Sequence, residues 1–157
     1  MNDKDREHLV RCVELAEEAL ETGNDPFGSV LVSADGHVLF EDRNRTVGGD
    51  ETRHPEFEIV RWAVTHLTPE ERADSTVYTS GEHCVMCAAA DAWVGLGRIV
   101  YVASAGQIAE WRGAKGAAPS PVRPLPITAV APGLHVDGPA DALVAEVRVL
   151  IEHHLDR

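Results

Sequence analysis

Apolar residues recur at helical spacing near both ends of the chain. In the first 22 residues they fall at Leu9, Val13, Ala16 and Leu20, with charged residues between them. This spacing places the apolar side chains on one face and predicts an amphipathic helix. A similar pattern from Pro139 to His154 predicts a second amphipathic helix that closes the chain.

Two further helices are predicted in the middle of the chain, and each opens at a polar motif. One runs from His54 to His66 and the other from Cys84 to Val94. Pro55 suits the first turn of the former helix, because the amide hydrogen that proline lacks has no helical partner at that position.

Short β-rich runs alternate with these helices. The predicted strands are residues 28–32, 37–40, 75–80, 98–102 and 127–130. The first two form a hairpin, a polar loop follows from residue 42, and the proline-rich stretch 106–125 is predicted to be irregular or briefly helical. Strands that alternate with helices predict a layered α/β fold with helices on both faces of a sheet.

Composition and charge narrow the class of protein. The 157 residues suit a single domain, and 44% of them are hydrophobic, as in an ordinary globular protein. We find no apolar run long enough to span a membrane and no secretory leader pattern, so a cytoplasmic location is expected. The net charge of −12 makes a nucleic-acid partner unlikely and favours a small neutral or cationic substrate.

The candidate chemistry lies in two short motifs that are thirty residues apart. His54 is followed by Pro55 and Glu56, and Cys84 is separated by two residues from Cys87. One imidazole and two thiolates hold Zn²⁺ and leave the fourth tetrahedral position open for water. The spacing H-x-E…C-x-x-C is that of zinc-dependent base deaminases, in which the glutamate moves protons. We therefore expect one zinc per chain.

Other interpretations of these motifs are open at this point. A C-x-x-C pair is also found in redox proteins, although that use gives the upstream histidine and glutamate no role. A closed structural site is a second alternative, with His83 as its fourth ligand. We favour the catalytic site, because Glu56 has no purpose in a structural one.

Several motifs in one order resemble the cytidine-deaminase-like superfamily. They are Pro-Phe-Gly at residues 26–28, Asn44 after the second strand, the motif at residues 54–56, and Thr-Ser-Gly-Glu-His-Cys-Val-Met-Cys at residues 79–87. The chain is most similar to the branch that holds bacterial guanine deaminase, tRNA adenosine deaminase and yeast-type cytosine deaminase. It departs from the pattern at Pro55, which is usually a small residue, and at His83, which is usually proline.

The resemblance implies a three-layer αβα fold with a five-stranded mixed sheet, a homodimer or larger oligomer, and a pocket over the zinc. Phe27 would pack on the substrate ring and Asn44 would bind a ring edge. Trp93 would line the base pocket or else be a core aromatic residue. His83 would offer a hydrogen-bonding group beside the metal, and Glu110 would lie in a lid and read the donor edge of guanine.

Glu82 and Asp91 are further acidic candidates for binding exocyclic amino groups. Of the two, Glu82 is the weaker, since a glutamate in a loop more often caps a helix.

These features predict a zinc-dependent hydrolytic deaminase in nucleobase metabolism. In such an enzyme zinc-bound hydroxide attacks the amino-bearing ring carbon, Glu56 is the proton shuttle, and ammonia is released. Guanine, an azapurine or an aminotriazine is the favoured substrate. The alternatives are a tRNA adenosine deaminase, a cytosine or cytidine deaminase and, in a different class, a non-catalytic binding module.

Overall fold

A five-stranded mixed sheet is the central layer of the protein, in a computed structural model that describes residues 1–157. The strands are β1 (Gly28–Val32), β2 (Val38–Arg43), β3 (Thr76–Gly81), β4 (Arg98–Ala103) and β5 (Val136–Asp137). Their order across the sheet is β2-β1-β3-β4-β5, with β1 antiparallel to both neighbours and β3, β4 and β5 parallel. The predicted five-stranded mixed sheet is confirmed.

Seven α-helices accompany this sheet, and six of them cover its two faces. The seven helices are α1 (Asp3–Glu21), α2 (Pro55–His66), α3 (Pro69–Ala73), α4 (Val85–Val94), α5 (Ala105–Ala114), α6 (Ile127–Val130) and α7 (Asp141–Leu155). Helices α1, α5 and α7 pack on one face, and α2, α4 and α6 pack on the other. The result is the expected three-layer αβα arrangement. None of the helices is both long enough and apolar enough to cross a membrane.

Strand β1 shows why the sheet needs helices on both faces. Val30 and Val32 face α1 and α7, whereas Leu31 between them faces α2 and α4. Because side chains alternate along a strand, a fully buried strand such as β1 is apolar on both sides. Helix α1 lies directly against the start of β1, since a Cβ atom at Gly28 would be 2.4 Å from the Cβ of Leu15.

The predicted fifth strand at residues 127–130 is wrong, because these residues form the short helix α6. Pro126 precedes these residues. The Ile127 amide donates a hydrogen bond to Glu82 Oε1 at 2.8 Å, and this bond orients Ile127 as the first residue of a helix. Strand β5 lies further along the chain, where Val136 pairs with Ile99 of β4.

The stretch 106–125 is more ordered than its proline and glycine content predicts. Its first part belongs to α5, which begins with a capping box: Ser104 Oγ accepts from the Gln107 amide, and the Gln107 side chain accepts from the Ser104 amide. The pattern Ser-x-x-Gln is a signal for a helix start and was present in the sequence. The exposed residues 118–126 lack regular structure.

Strand β2 is longer than predicted and runs to Arg43, which pairs with Gly28. The predicted polar loop at residue 42 therefore begins only after Arg43. This extension matters because the Asn44 amide then donates to the Phe27 carbonyl at 2.9 Å. The two residues come to lie side by side at the edge of the sheet where α2 and α4 begin.

Candidate metal centre

Three metal-binding side chains converge at the starts of two helices. His54 directly precedes α2, Cys84 directly precedes α4, and Cys87 lies in the first turn of α4. Their ligand atoms all lie within 4.8 Å of one another. The structure thus brings together the three ligands that the two motifs predict.

The separations between these atoms fit a tetrahedral zinc ion. His54 Nδ1 is 3.6 Å from Cys84 Sγ and 3.7 Å from Cys87 Sγ. Zinc bonds of about 2.0 Å to nitrogen and about 2.3 Å to sulfur, at a tetrahedral angle, separate the two donors by about 3.5 Å. The donor set of one nitrogen and two sulfurs is likewise one that zinc prefers.

All three candidate ligands have shifted pKa values. Hydrogen bonds from Cys87 and His54 lower the pKa of Cys84 to about 4, so that Cys84 is a thiolate at neutral pH. The same contact with Cys84 raises the pKa of His54 to about 9, and the contact with Cys84 together with burial raises the pKa of Cys87. His54 and Cys87 therefore give up protons when a metal binds, as metal sites of this type do.

Glu56 lies beside the three ligands and is 6% exposed. Its Oε1 is 2.9 Å from Thr79 Oγ1 and 3.1 Å from Ser29 Oγ, while its Oε2 is 3.9 Å from Cys87 Sγ. One carboxylate oxygen is held by hydroxyls and the other faces the metal ligands. Neither Ser29 nor Thr79 was predicted from the sequence to be a site residue, and their contact with Glu56 follows from the pairing of β1 with β3.

Phe27 and Asn44 flank the same edge of the sheet. The Oδ1 atom of the buried Asn44 accepts from both the amide and the hydroxyl of Thr46, at 3.1 and 2.9 Å. Its amide nitrogen is left to donate elsewhere. Phe27 is half-buried and packs closely over Gly81, where a Cβ atom would lie 2.9 Å from the ring.

His83 lies in the β3–α4 loop (residues 82–84), with its side chain buried against α4. Its Nδ1 is 2.5 Å from Asp91 Oδ2, and both side chains are 0% exposed. Burial opposes the charge on His83, but the Asp91 carboxylate outweighs it and raises the pKa of His83 to about 9, whereas burial raises the pKa of Asp91.

This pairing bears on three sequence-based interpretations. His83 is not part of the group of metal-binding atoms, so the closed four-ligand site finds no support in the geometry. Asp91 is bonded to His83 and is not open to a substrate amino group. The substrate contact predicted for His83 stays a prediction, with the side chain facing Asp91.

The acidic residue Glu82 caps two helices. Its Oε2 accepts from the Ala105 amide at the start of α5, and its Oε1 accepts from the Ile127 amide at the start of α6, both at 2.8 Å. Negative charge is favourable at helix N-termini. Glu82 therefore has the capping role that was expected from the sequence.

Trp93 and Glu110 lie at the surface. Trp93 lies in the last turn of α4 and is 89% exposed, so the alternative of a core aromatic residue is wrong. Glu110 is exposed on α5, while its neighbour Trp111 is buried in the core beside α7. The segment predicted to form a lid is therefore a packed helix. The substrate contacts predicted for Trp93 and Glu110 stay predictions.

Comparison with known proteins identifies the family to which the chain belongs. Residues 2–103 match the family described as the cytidine and deoxycytidylate deaminase zinc-binding region. The chain belongs to this family. The family is a zinc-binding one, and the His54, Cys84 and Cys87 group is a set of donors in this chain that could hold the metal.

Curated relatives in this family carry different names. The chain is 31% identical over 101 residues to a probable cytosine deaminase of Schizosaccharomyces pombe, and the match covers 64% of this chain and 61% of the relative. It is 36% identical over 104 residues to guanine deaminase of Bacillus subtilis (65% and 66% covered). It is 37% identical over 87 residues to a tRNA-specific adenosine deaminase of Agrobacterium fabrum (55% and 57% covered). The chain thus spans less than two thirds of each relative.

The structural similarity to solved proteins covers more of the chain than residues 2–103. A crystal structure of a protein in complex with 8-azaguanine superimposes with a TM-score of 0.75 at 22% identity, covering 97% of this chain and 84% of that one. At this identity the similarity concerns the fold, which the two proteins share over nearly the whole of the present chain.

Proposed function

We propose that the protein is a zinc-dependent hydrolytic deaminase of a free aminated nucleobase or related heterocycle, with guanine, azapurines and aminotriazines favoured. The observation that carries this proposal is the position of Glu56 Oε2, 3.9 Å from Cys87 Sγ, beside a donor group that suits catalytic zinc. A structural zinc site has no use for a carboxylate there.

Each residue of the centre has a part in this reaction. His54, Cys84 and Cys87 would hold the zinc, which would supply a nucleophile by lowering the pKa of water. Glu56 takes up a proton from the water at Oε2 and delivers it to the ring nitrogen. It then takes up a second proton, from the hydroxyl group added to the ring carbon, and delivers it to the leaving amino group. Its near-complete burial excludes bulk water from these transfers.

Asn44 and Phe27 would bind and orient the ring. With Asn44 Oδ1 occupied by Thr46, the amide nitrogen presents a donor, which suits a ring carbonyl or an unprotonated ring nitrogen. Phe27 offers an aromatic face next to it. Both acceptor types occur on guanine, and on cytosine as well, so these two residues support a base rather than one particular base.

A free base is preferred over a base within tRNA because of charge. The whole chain carries a net charge of −12, whereas binding to a polynucleotide depends on neutralising phosphates with lysine and arginine. The surface of α7 offers little positive charge, since Arg148 is already paired with Glu152 at 2.8 Å. The 36% identity to a guanine deaminase supports testing guanine first.

The decisive assay is ammonia release by zinc-loaded protein across a panel. The panel holds guanine, adenine, cytosine, their nucleosides, azapurines, aminotriazines and an unmodified tRNA. We expect a signal from one group of free bases. Release from tRNA alone, with salt-sensitive binding, would replace this proposal with the tRNA adenosine alternative, and silence across the panel would favour a non-catalytic module.

Glu56→Gln separates turnover from metal binding. We expect this variant to keep its fold and one zinc per chain, while turnover falls about 10²–10⁴-fold, the usual contribution of a general acid-base group. Glu58→Gln is the matched control, because Glu58 lies on the same helix and pairs with Arg53. Turnover by Glu56→Gln at the parent rate would contradict the assigned role.

We further propose that the protein is a homodimer that uses the exposed end of α4. Trp93 borders a shallow groove of about 650 Å³ that also includes Ala89, Ala92 and Leu134. An indole that is 89% exposed beside such a groove is typical of an interaction surface. Light scattering of Trp93→Glu should report a monomer, with Val149→Glu on the outer face of α7 as the control.

The cysteines also favour a reducing compartment such as the cytoplasm. Cys84 and Cys87 must remain free thiols or thiolates to hold a metal, and in an oxidising compartment such a pair is prone to form a disulfide.

A further inference from the structure

Two hydroxyl groups from neighbouring strands meet at one oxygen atom of Glu56. Ser29 of β1 and Thr79 of β3 are directly opposite each other in the antiparallel pair, and both are 0% exposed. Their hydroxyl oxygens lie 2.9 Å apart, and each is within 3.1 Å of Glu56 Oε1. The three oxygens form a closed triangle beneath the zinc-binding centre.

These hydroxyls are unusual for their place in the fold. Two residues along each strand, on the same face of the sheet, lie the apolar core residues Leu31 and Val77. A buried hydroxyl without a partner costs free energy, so this polar pair is tolerated in the centre of the sheet because the Glu56 carboxylate satisfies it.

The direction of the hydrogen bonds follows from the charge of Glu56. Each hydroxyl has one proton, and Thr79 has a competing acceptor in the Gly81 carbonyl at 2.9 Å. Hydrogen bonds to a carboxylate are about twice as strong as those between neutral groups. With Glu56 ionised, both protons therefore point at Oε1.

We propose that Ser29 and Thr79 are positioning residues, which hold Glu56 Oε1 so that Oε2 alone exchanges protons with the substrate. This inference rests on the proposed deaminase function and adds two residues to it. A carboxylate with both oxygens free would rotate about its last bond and leave its productive orientation, whereas two hydroxyls on one oxygen fix that angle. Correct orientation of a reacting group is a large part of catalysis.

The test uses substitutions that separate the hydroxyl from the shape of the side chain. Thr79→Val keeps the shape and removes the hydroxyl, whereas Thr79→Ser keeps the hydroxyl and removes the methyl group. We expect Thr79→Val and Ser29→Ala each to lower kcat by about 10-fold or more, with KM and zinc content unchanged. Thr79→Ser should stay within about 2-fold of the parent.

A matched control removes a buried hydroxyl elsewhere. Ser75 is 1% exposed and bonds to the Arg72 carbonyl just before β3 begins, away from the metal centre. Ser75→Ala should lower the melting temperature about as much as Ser29→Ala while leaving kcat unchanged. Equal kcat values for Thr79→Val, Thr79→Ser and an active parent would overturn the inference.

A second readout does not depend on turnover. In a crystal structure of the zinc-loaded double variant Ser29→Ala/Thr79→Val, we expect the Glu56 carboxylate to be rotated or to occupy two orientations. An unmoved carboxylate would overturn the positioning role. If the parent protein releases no ammonia from any compound of the panel, the proposed function fails, and the crystal structure still decides whether the two hydroxyls orient Glu56.

Discussion

Removing the carboxylate of Asp91 tests how firmly the cysteine-bearing loop is attached to α4. His83 lies one residue before Cys84, and Asp91 lies one helical turn after Cys87. His83 Nδ1 lies 2.5 Å from Asp91 Oδ2, and both side chains are fully buried. The pair therefore links the loop just before Cys84 to the part of α4 that follows Cys87, and Asp91→Ala leaves His83 buried without its partner.

The size of the effect follows from burial. Breaking a buried ion pair by removing one partner costs about 3–5 kcal/mol. We expect a value near 3 kcal/mol, because His83 Nε2 and Asp91 Oδ1 already lack partners and the pair is incompletely satisfied in the parent. For a chain of this length, such a loss lowers the melting temperature by about 6–12 °C.

A double variant provides the comparison. His83→Leu/Asp91→Leu removes both polar groups and fills the space with apolar atoms, a change that is often neutral or stabilising. We therefore expect the double variant to be more stable than Asp91→Ala. Both are measured by urea unfolding at a fixed concentration of free zinc, since metal binding contributes to the measured stability.

Zinc affinity gives a second result from the same proteins. If the pair holds the loop, Asp91→Ala should also weaken zinc binding, by about 10-fold, the lower end of what outer-shell partners contribute. A loss of less than about 1 kcal/mol in Asp91→Ala, or equal stability of the single and double variants, would refute the reasoning.

Three other substitutions test separate parts of the structure. Burial opposes ionisation of Asp5, but its bonds to Arg98 and Tyr78 outweigh burial and hold the pKa of Asp5 well below its usual value. Ionised Asp5 therefore stabilises the fold at pH values above the pKa that its carboxyl has in the unfolded chain. In urea unfolding at pH 7, we expect Asp5→Asn to lower the free energy of unfolding by about 2 kcal/mol. The difference between this variant and the parent should narrow as the pH falls below about 5. Gly28→Ala places a Cβ atom 2.5 Å from the Cys12 carbonyl oxygen, so calorimetry should report a loss of about 1–3 kcal/mol, whereas Gly113→Ala on the open face of α5 should not destabilise. Cys84→Ala should reduce zinc content by atomic absorption from one per chain to nearly none, while Cys12→Ala keeps it; full zinc occupancy in Cys84→Ala would contradict the assignment of this ligand.

The metal centre could be predicted from the sequence because its parts are local. His54 and Glu56 are two residues apart, Cys84 and Cys87 are three apart, and each pair lies at a helix start that the apolar pattern also predicts. Only the meeting of the two pairs required the fold. The family, the zinc and the layered fold that followed from these motifs are confirmed.

The errors occurred where a local pattern had competing meanings. The β-branched residues at 127–130 were compatible with a strand until the Glu82 carboxylate oriented Ile127 as a helix start. Of the two alternatives for Trp93, only the core position is wrong, because neither periodicity nor composition could reveal that the end of α4 lies at the surface. For residues 127–130, a contact from a distant segment decided the outcome.

By itself, the sequence determined the donor set, the carboxylate proposed to transfer protons and the alternation of helices and strands, because each depends on residues within a few positions of one another. The tertiary structure alone decided which groups surround them. The pairing of β1 with β3 brought Ser29 and Thr79, fifty residues apart, onto one oxygen of Glu56, and the packing of the β3–α4 loop on α4 turned His83 toward Asp91. Strand register and helix packing are set by the whole core, and no short stretch of sequence encodes them.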